Sequence, residues 1–158
     1  MLESDDGLIW KKRASFADTA GDETAFLFED DGSVLAIGRH GGGRNARLIR
    51  SKPPYTEWDR KNLDLPVGGP LVVKWGEHTI VGGRKTLADK GPATSLCWLT
   101  GDQLEEFAEF PSGGDNSYPG FVALSPSRAL VSYYSSHEKD DAGKTITAMY
   151  LAELTMSR

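Results

Sequence analysis

Three segments of this chain repeat one pattern, and a repeat of that period leaves few folds open. Thr24–Glu29 and Val34–Arg39 are β-rich runs joined by Asp30-Asp31-Gly32-Ser33, a hairpin turn signal. Pro70–Trp75 and His78–Gly83 repeat the arrangement across Gly76-Glu77, and Gly120–Ser125 and Ala129–Tyr134 repeat it across Pro126-Ser127. Each pair is followed by a loop and a further strand: Ala46–Ser51, Ser95–Thr100 and Thr145–Leu154. The hairpins are in phase, with sixteen residues from Glu23 to Arg39, from Gly68 to Arg84 and from Tyr118 to Tyr134. They start roughly 45–50 residues apart, a period of propeller blades. No stretch carries a sustained helical period, and Asp102–Phe110, the best helical candidate, also reads as a strand. The expected fold is all-β, built of antiparallel propeller blades, with a single β-sandwich as the alternative.

Composition narrows the function. Eighteen glycines and eight prolines in 158 residues suit short strands joined by tight turns. A net charge of −5 weighs against nucleic acid or an anionic membrane as partner. Arg39, Arg44, Arg47 and Arg50 form a basic stretch, but strand alternation splits them between faces. No apolar run approaches membrane-spanning length. The acidic start, Met1 to Asp6, lacks the layout of a signal peptide, and the compartment is not readable. Cys97 is the only cysteine, and within Ser95-Leu96-Cys97-Trp98-Leu99 it reads as a buried strand thiol. The three histidines show no zinc spacing, and Gly38-Arg39-His40-Gly41-Gly42-Gly43 opens no helix, so neither a metal nor a nucleotide cofactor is expected.

A hairpin places the start of its first strand beside the end of its second. If the blades repeat, Glu23 with Arg39, Gly68 with Arg84, and Tyr118 with Tyr134 all fall on one rim. First strands line the channel of a propeller, so a carboxylate, two guanidinium groups and a phenol converge on its mouth. Asp115, His40, His137 and Glu138 also lie near strand ends on that side. Each residue has a plainer reading. Glu23 can be a solvated strand-end carboxylate, the arginines strand-edge charges, Tyr118 a packing aromatic, and the loop groups simply hydrated.

A second repeat sits between the third and fourth strands of the blades. Ser4-Asp5-Asp6-Gly7-Leu8-Ile9-Trp10, Ser51-Lys52-Pro53-Pro54-Tyr55-Thr56-Glu57-Trp58 and Thr100-Gly101-Asp102-Gln103-Leu104-Glu105-Glu106-Phe107 each keep parts of one pattern. The pattern resembles the Asp-box, Ser-x-Asp-x-Gly-x-Thr-Trp, in which a carboxylate caps backbone N–H groups while the aromatic packs between sheets. Together with the order of Gly21-Asp22-Glu23, Gly38-Arg39, Gly68-Gly69-Pro70-Leu71, Gly82-Gly83-Arg84 and Ser117-Tyr118-Pro119-Gly120, it makes the chain similar to the last three blades of the six-bladed sialidase family. Tyr118 is followed by Pro119 where sialidases usually have Ser.

That resemblance implies roles. Tyr118 corresponds to the nucleophile, Glu23 to its base, and Arg39 and Arg84 to two arginines of the triad that binds the sugar carboxylate; Asp115, Tyr134 and His137 are further substrate-binding candidates. A neutral phenol suits a substrate whose anomeric carbon carries a carboxylate, which would repel a carboxylate nucleophile, and sialidases depart from the two-carboxylate pattern accordingly. The planar Arg fork suits bidentate carboxylate binding. A complete sialidase also needs a first arginine and an aspartic general acid on earlier blades, and no segment here matches those blades. Two readings follow: a hydrolase homologue acting on sialic-acid-type or other acidic glycans, or a non-catalytic carbohydrate-binding or assembly module with a partial site. The expected layout is one half-propeller domain over 1–158, with an N-terminal strand within 4–16 and blades at 22–64, 67–110 and 113–156. Blade three holds only three strands, so pairing of two copies, each donating Leu8–Arg13 to the other, is the expected assembly.

Overall fold

The computed structural model describes residues 1–16, 21–87 and 91–156. The described residues form only strands and turns, in four antiparallel sheets. Strands β3 (Gly21–Phe28), β4 (Val34–His40), β5 (Arg44–Ser51) and β6 (Asp59–Asn62) make the first blade. The second is β7 (Gly68–Trp75), β8 (His78–Leu87), β9 (Gly91–Thr100) and β10 (Gln103–Glu109). The third is β11 (Asn116–Ser125), β12 (Arg128–Lys139) and β13 (Thr145–Thr155), with three strands among the described residues. Each is a meander in sequence order, and β7 lies against both β3 and β11, so the first strands of the three blades are neighbours. The fold is that of β-propeller blades.

What stacks the blades is apolar burial on alternating faces. Leu35, Ile37, Ala46 and Leu48 of blade one close on Val72, Val81, Cys97 and Leu104 of blade two. The other face of blade two carries Trp75, Ile80 and Leu96 onto Ala129, Val131 and Tyr133 of blade three. The middle blade is therefore buried on both sides, which is why Ile80-Val81 and Leu96-Cys97 are apolar at consecutive positions instead of alternate ones. Burial pushes the Cys97 thiol up to about 11, as a buried strand cysteine requires.

Two local expectations need correction. The segment Leu8–Arg13 is not an unpaired strand: within it, β2 (Lys11–Lys12) pairs with β1 (Leu2–Glu3) in a small separate hairpin. Its turn does behave as an Asp-box, with Gly7 N–H donating to Ser4 Oγ at 2.8 Å and the Leu8 and Ile9 N–H groups donating to Asp6 Oδ1 at 2.8 and 2.9 Å. Thr100–Phe107 is not such a turn, because β9 and β10 stay paired up to Thr100 opposite Gln103, leaving only Gly101-Asp102 between them. Phe107 still packs between the blades, stacked on Trp98 at 3.9 Å between ring centroids.

Truncating Ile80, which is fully buried between blades two and three, tests this packing. Ile80→Ala is expected to cost about 2–5 kcal/mol and Ile80→Val about 0.5–1.5 kcal/mol in urea unfolding. Near-equal midpoints for wild type and Ile80→Ala would mean that the blades do not share this core.

Candidate functional site

In all three blades the ladder between the first two strands breaks at the same end. Pairing skips Asp22-Glu23 between Gly21 and Thr24, Gly69-Pro70 between Gly68 and Leu71, and Tyr118-Pro119 between Ser117 and Gly120. Each break is a β-bulge, two residues facing one, which bends the strand and re-aims the extra side chain. Gly68 faces Arg84 as expected. Ser117, not Tyr118, faces Tyr134, while Gly21 and Thr24 flank the bulge opposite Arg39. The bulges turn a row of strand ends into a cluster.

Glu23 is the centre of that cluster. Its Oε1 accepts a hydrogen bond from the Tyr118 hydroxyl. Its Oε2 accepts the Gly69 N–H at 2.8 Å and Arg39 Nη1 at 3.1 Å. One carboxylate thus ties together all three blades. Arg39 Nε also lies 3.5 Å from Asp22. Partial burial pushes the Glu23 carboxyl up, but the hydrogen bonds from Tyr118, Gly69 and Arg39 outweigh it and hold the group below its ordinary range. The same hydrogen bond raises the Tyr118 phenol, with Arg39 and Arg84 pulling weakly the other way. The resting pair is a neutral phenol donating to an ionised carboxylate.

Tyr118 reaches Glu23 only because its backbone is unusual. Its φ is 48° and that of Ser117 is 152°, both in territory that disfavours a side chain and costs of order 1–3 kcal/mol per residue. Ser117 is buried, and its Oγ donates to the Gly68 carbonyl at 2.5 Å and approaches the Gly69 carbonyl at 3.2 Å, which fixes the bend. Gly69 has φ +53°, and a Cβ on it would sit 2.9 Å from Ser117 Cβ and 3.0 Å from Tyr118 N. Only glycine lets the two bulges nest. Buried Asn116 holds the approach to this strand, its Oδ1 accepting from Thr94 Oγ1 at 2.8 Å and its Nδ2 donating to the Gly114 carbonyl at 3.0 Å.

A second group lies beside the first. Asp115 Oδ1 accepts Arg84 Nη1 at 3.0 Å and the Tyr134 hydroxyl at 2.9 Å. The Tyr134 and Tyr118 rings stack with centroids 6.1 Å apart, joining the two groups. Burial and then Asp115 raise the Tyr134 phenol. Arg39 and Arg84 both line one recess of about 90 Å³, with His40, Arg44 and Gly68. His40 Nε2 is buried there and finds no hydrogen-bond partner among the described residues. A larger recess of about 850 Å³ lies at the opposite end of blade one. Glu29, which lines it, is engaged by Lys74 at 3.0 Å and by Ser33, so the convergent groups are on the rim with Glu23.

The structure therefore brings together Tyr118, Glu23 and Arg39, and beside them Arg84, Asp115 and Tyr134. It does not bring His137 into the cluster: His137 bonds Ser135 at 2.8 Å, packs at a tilt on the Tyr150 ring with centroids 4.9 Å apart and lies 3.9 Å from Glu138. Its position on β12 beyond Tyr134 directs it toward β13 instead. Gly69 and Ser117 were not singled out from the sequence. The available signal was the Gly-Gly-Pro and Ser-Tyr-Pro-Gly runs at matching repeat positions, where an ordinary strand would not carry proline.

No family model and no curated protein matches this sequence. Among solved structures, the chain is similar to a protein of unknown function from Dyadobacter fermentans DSM 18053, with a TM-score of 0.74 and 22% identity over 98% of this chain and 45% of that one. It is also similar to the phage phi92 endosialidase, with a TM-score of 0.65 and 12% identity over 97% of this chain and 30% of that one. This chain therefore spans less than half the length of either. At these identities the likeness is one of fold, and the fold is β-propeller-like.

Proposed function

We propose that this chain is a sialidase-like glycoside hydrolase homologue whose rim cluster takes an acidic sugar. The observation that carries the reading is the hydrogen bond from Tyr118 to Glu23, with Arg39 on the other carboxylate oxygen. In this reading Arg39 and Arg84 hold the sugar carboxylate over the recess they share. Tyr118 Oη attacks the anomeric carbon as its proton passes to Glu23, and the glycosidic bond breaks. The leaving oxygen takes its proton from water; a second water then cleaves the Tyr118–sugar bond, giving its hydroxyl to the sugar and a proton to solvent while Glu23 returns the proton to Tyr118.

Ligand binding itself prepares the base. Free Glu23 is a weak base because three donors stabilise its charge. A substrate carboxylate that draws Arg39 away removes one donor and adds a nearby negative charge. Both changes raise the Glu23 pKa toward that of a useful proton acceptor.

The second reading, a non-catalytic module for acidic glycans, is favoured by Asp115. It occupies Arg84 Nη1 and leaves one fewer free donor for a ligand carboxylate. Fluorogenic sialoside hydrolysis, run beside calorimetric titration with sialic acid, separates the two. The hydrolase reading expects turnover that falls by roughly 10²–10⁴-fold in Tyr118→Phe and in Glu23→Gln. Saturable binding that survives Tyr118→Phe, with no turnover, selects the binding module. Neither binding nor turnover, in a folded sample, removes both.

The Glu23 contacts also predict a pH dependence of stability. Its folded pKa lies below its unfolded value, so its contacts stabilise the fold fully above the unfolded pKa and are lost as pH falls through the folded one. The stability gap between wild type and Glu23→Gln is thus expected to be constant near neutrality and to shrink as pH drops below about 4.5, the ordinary glutamate value. Urea midpoints across pH 7 to 3 measure it. A gap that widens with acidity contradicts the assigned contacts.

A further inference from the structure

We propose that a second copy of this chain covers both open end faces, so that two three-bladed chains close one six-bladed ring. The inference rests on which residues the fold leaves uncovered. On blade two, the face toward blade three carries Val73 paired with Ile80, and Gly82 paired with Leu96. The matching face of blade three carries Val122 paired with Leu130, and Ser132 paired with Leu151, with Leu124 and Met149 beside them. At blade two these positions form a core. At blade three Val122 is 59%, Leu151 69% and Met149 73% exposed.

The opposite open face belongs to blade one. Phe26, paired with Ala36, and Phe28, paired with Val34, point away from blade two. Phe16 and Tyr55 pack edge-on against Phe26 and Phe28 at 5.2 and 6.2 Å, and Val34 and Ala36 between them are buried, yet Phe28 stays 60% and Phe26 42% exposed. The two faces differ in kind. Blade three presents the type of face that blade two turns to blade three, and blade one presents the type that blade two turns to blade one. Inside the chain these two types always meet each other, at both cores.

That asymmetry selects the occupant. Blade one of one copy against blade three of the other repeats the existing interface twice, uses every open face once, and closes under a two-fold axis. Pairing like with like, blade three on blade three, would bring together faces that never meet within the chain. Exposed apolar faces of this extent mark interaction surfaces in soluble proteins. The similar Dyadobacter fermentans protein matches this chain over less than half its own length, which leaves room in that single chain for a second half of the same kind. The outer edge of β13, which pairs with no further strand among the described residues, is a further docking edge of the type that folded proteins cover. Leu8, Ile9 and Trp10 of the partner, exposed in one copy, offer an apolar segment to it.

Light scattering on the purified chain is expected to give twice the 17.2 kDa chain mass at micromolar concentration. Two charge substitutions at exposed positions then test the faces. Leu151→Glu and Phe28→Lys should each give monomers, and mixing the two variants should restore dimers. The mixed pair retains one unaltered interface and sets Glu against Lys in the other. A wild-type monomer, an open-ended series of larger species, or dimers indifferent to both substitutions would each overturn the proposal. So would two monomeric variants that fail to pair on mixing. If either variant fails to fold, the wild-type mass alone decides.

Discussion

Everything in this structure depends on the middle blade being buried on both faces. A sheet that is solvated on one side can alternate apolar and polar residues, but β8 and β9 cannot. Ile80 and Val81 point in opposite directions and are both out of water, as are Leu96 and Cys97. Once blade two is enclosed in this way, its neighbours are fixed in orientation, because each must offer an apolar face at the matching register. The first strands are then forced side by side along β7. The rim at their ends becomes a place where residues far apart in sequence meet.

The chemistry at that rim is a matter of backbone before side chains. Strand ends alone would have left Glu23 and Tyr118 on separate blades, each facing its own partner strand. Bulges in β3, β7 and β11 break that arrangement, and the positive φ of Tyr118 turns its ring back toward blade one. Strain of this sort persists only where surroundings over-determine it. Here Ser117 Oγ on the Gly68 and Gly69 carbonyls supplies the restraint, and the absence of a side chain at Gly69 supplies the space. Gly69 contributes twice, since its N–H is also one of the three donors on Glu23.

How much of this was legible follows from which signals are local. The strands and their order were, because β-rich runs between turn residues repeat three times in register. So was the convergence of Glu23, Arg39, Arg84, Tyr118 and Tyr134 on one rim, since it needs only hairpin geometry and a repeat. The bulges were not legible, for a bulge changes the count by one residue without changing composition. Strict hairpin counting therefore paired Tyr118 with Tyr134, whereas the ladder pairs Ser117 there. The partners of Arg84 were hidden for a different reason: Asp115 sits in a loop whose course depends on buried Asn116, and no spacing rule encodes that. His137 was misplaced because β12 continues past the rim to Lys139, taking the histidine to Ser135 and Tyr150.

The two arginines illustrate why the position of a charge says less than its partner. Arg39 and Arg84 line the same recess, yet each is engaged by a different carboxylate in the free protein. Glu23 is held on three sides and linked to a phenol, so releasing Arg39 has a chemical consequence: it returns basicity to a group already bonded to a phenolic hydroxyl. Asp115 is 69% exposed and is bonded by Arg84 and Tyr134, so releasing Arg84 frees a guanidinium donor and leaves the Glu23–Tyr118 pair untouched. The two arginines are thus held in unequal ways, one by a carboxylate that bonds all three blades and one by a carboxylate at their edge. The difference arises from the blades themselves, because Glu23 sits where three bulges meet and Asp115 lies outside them.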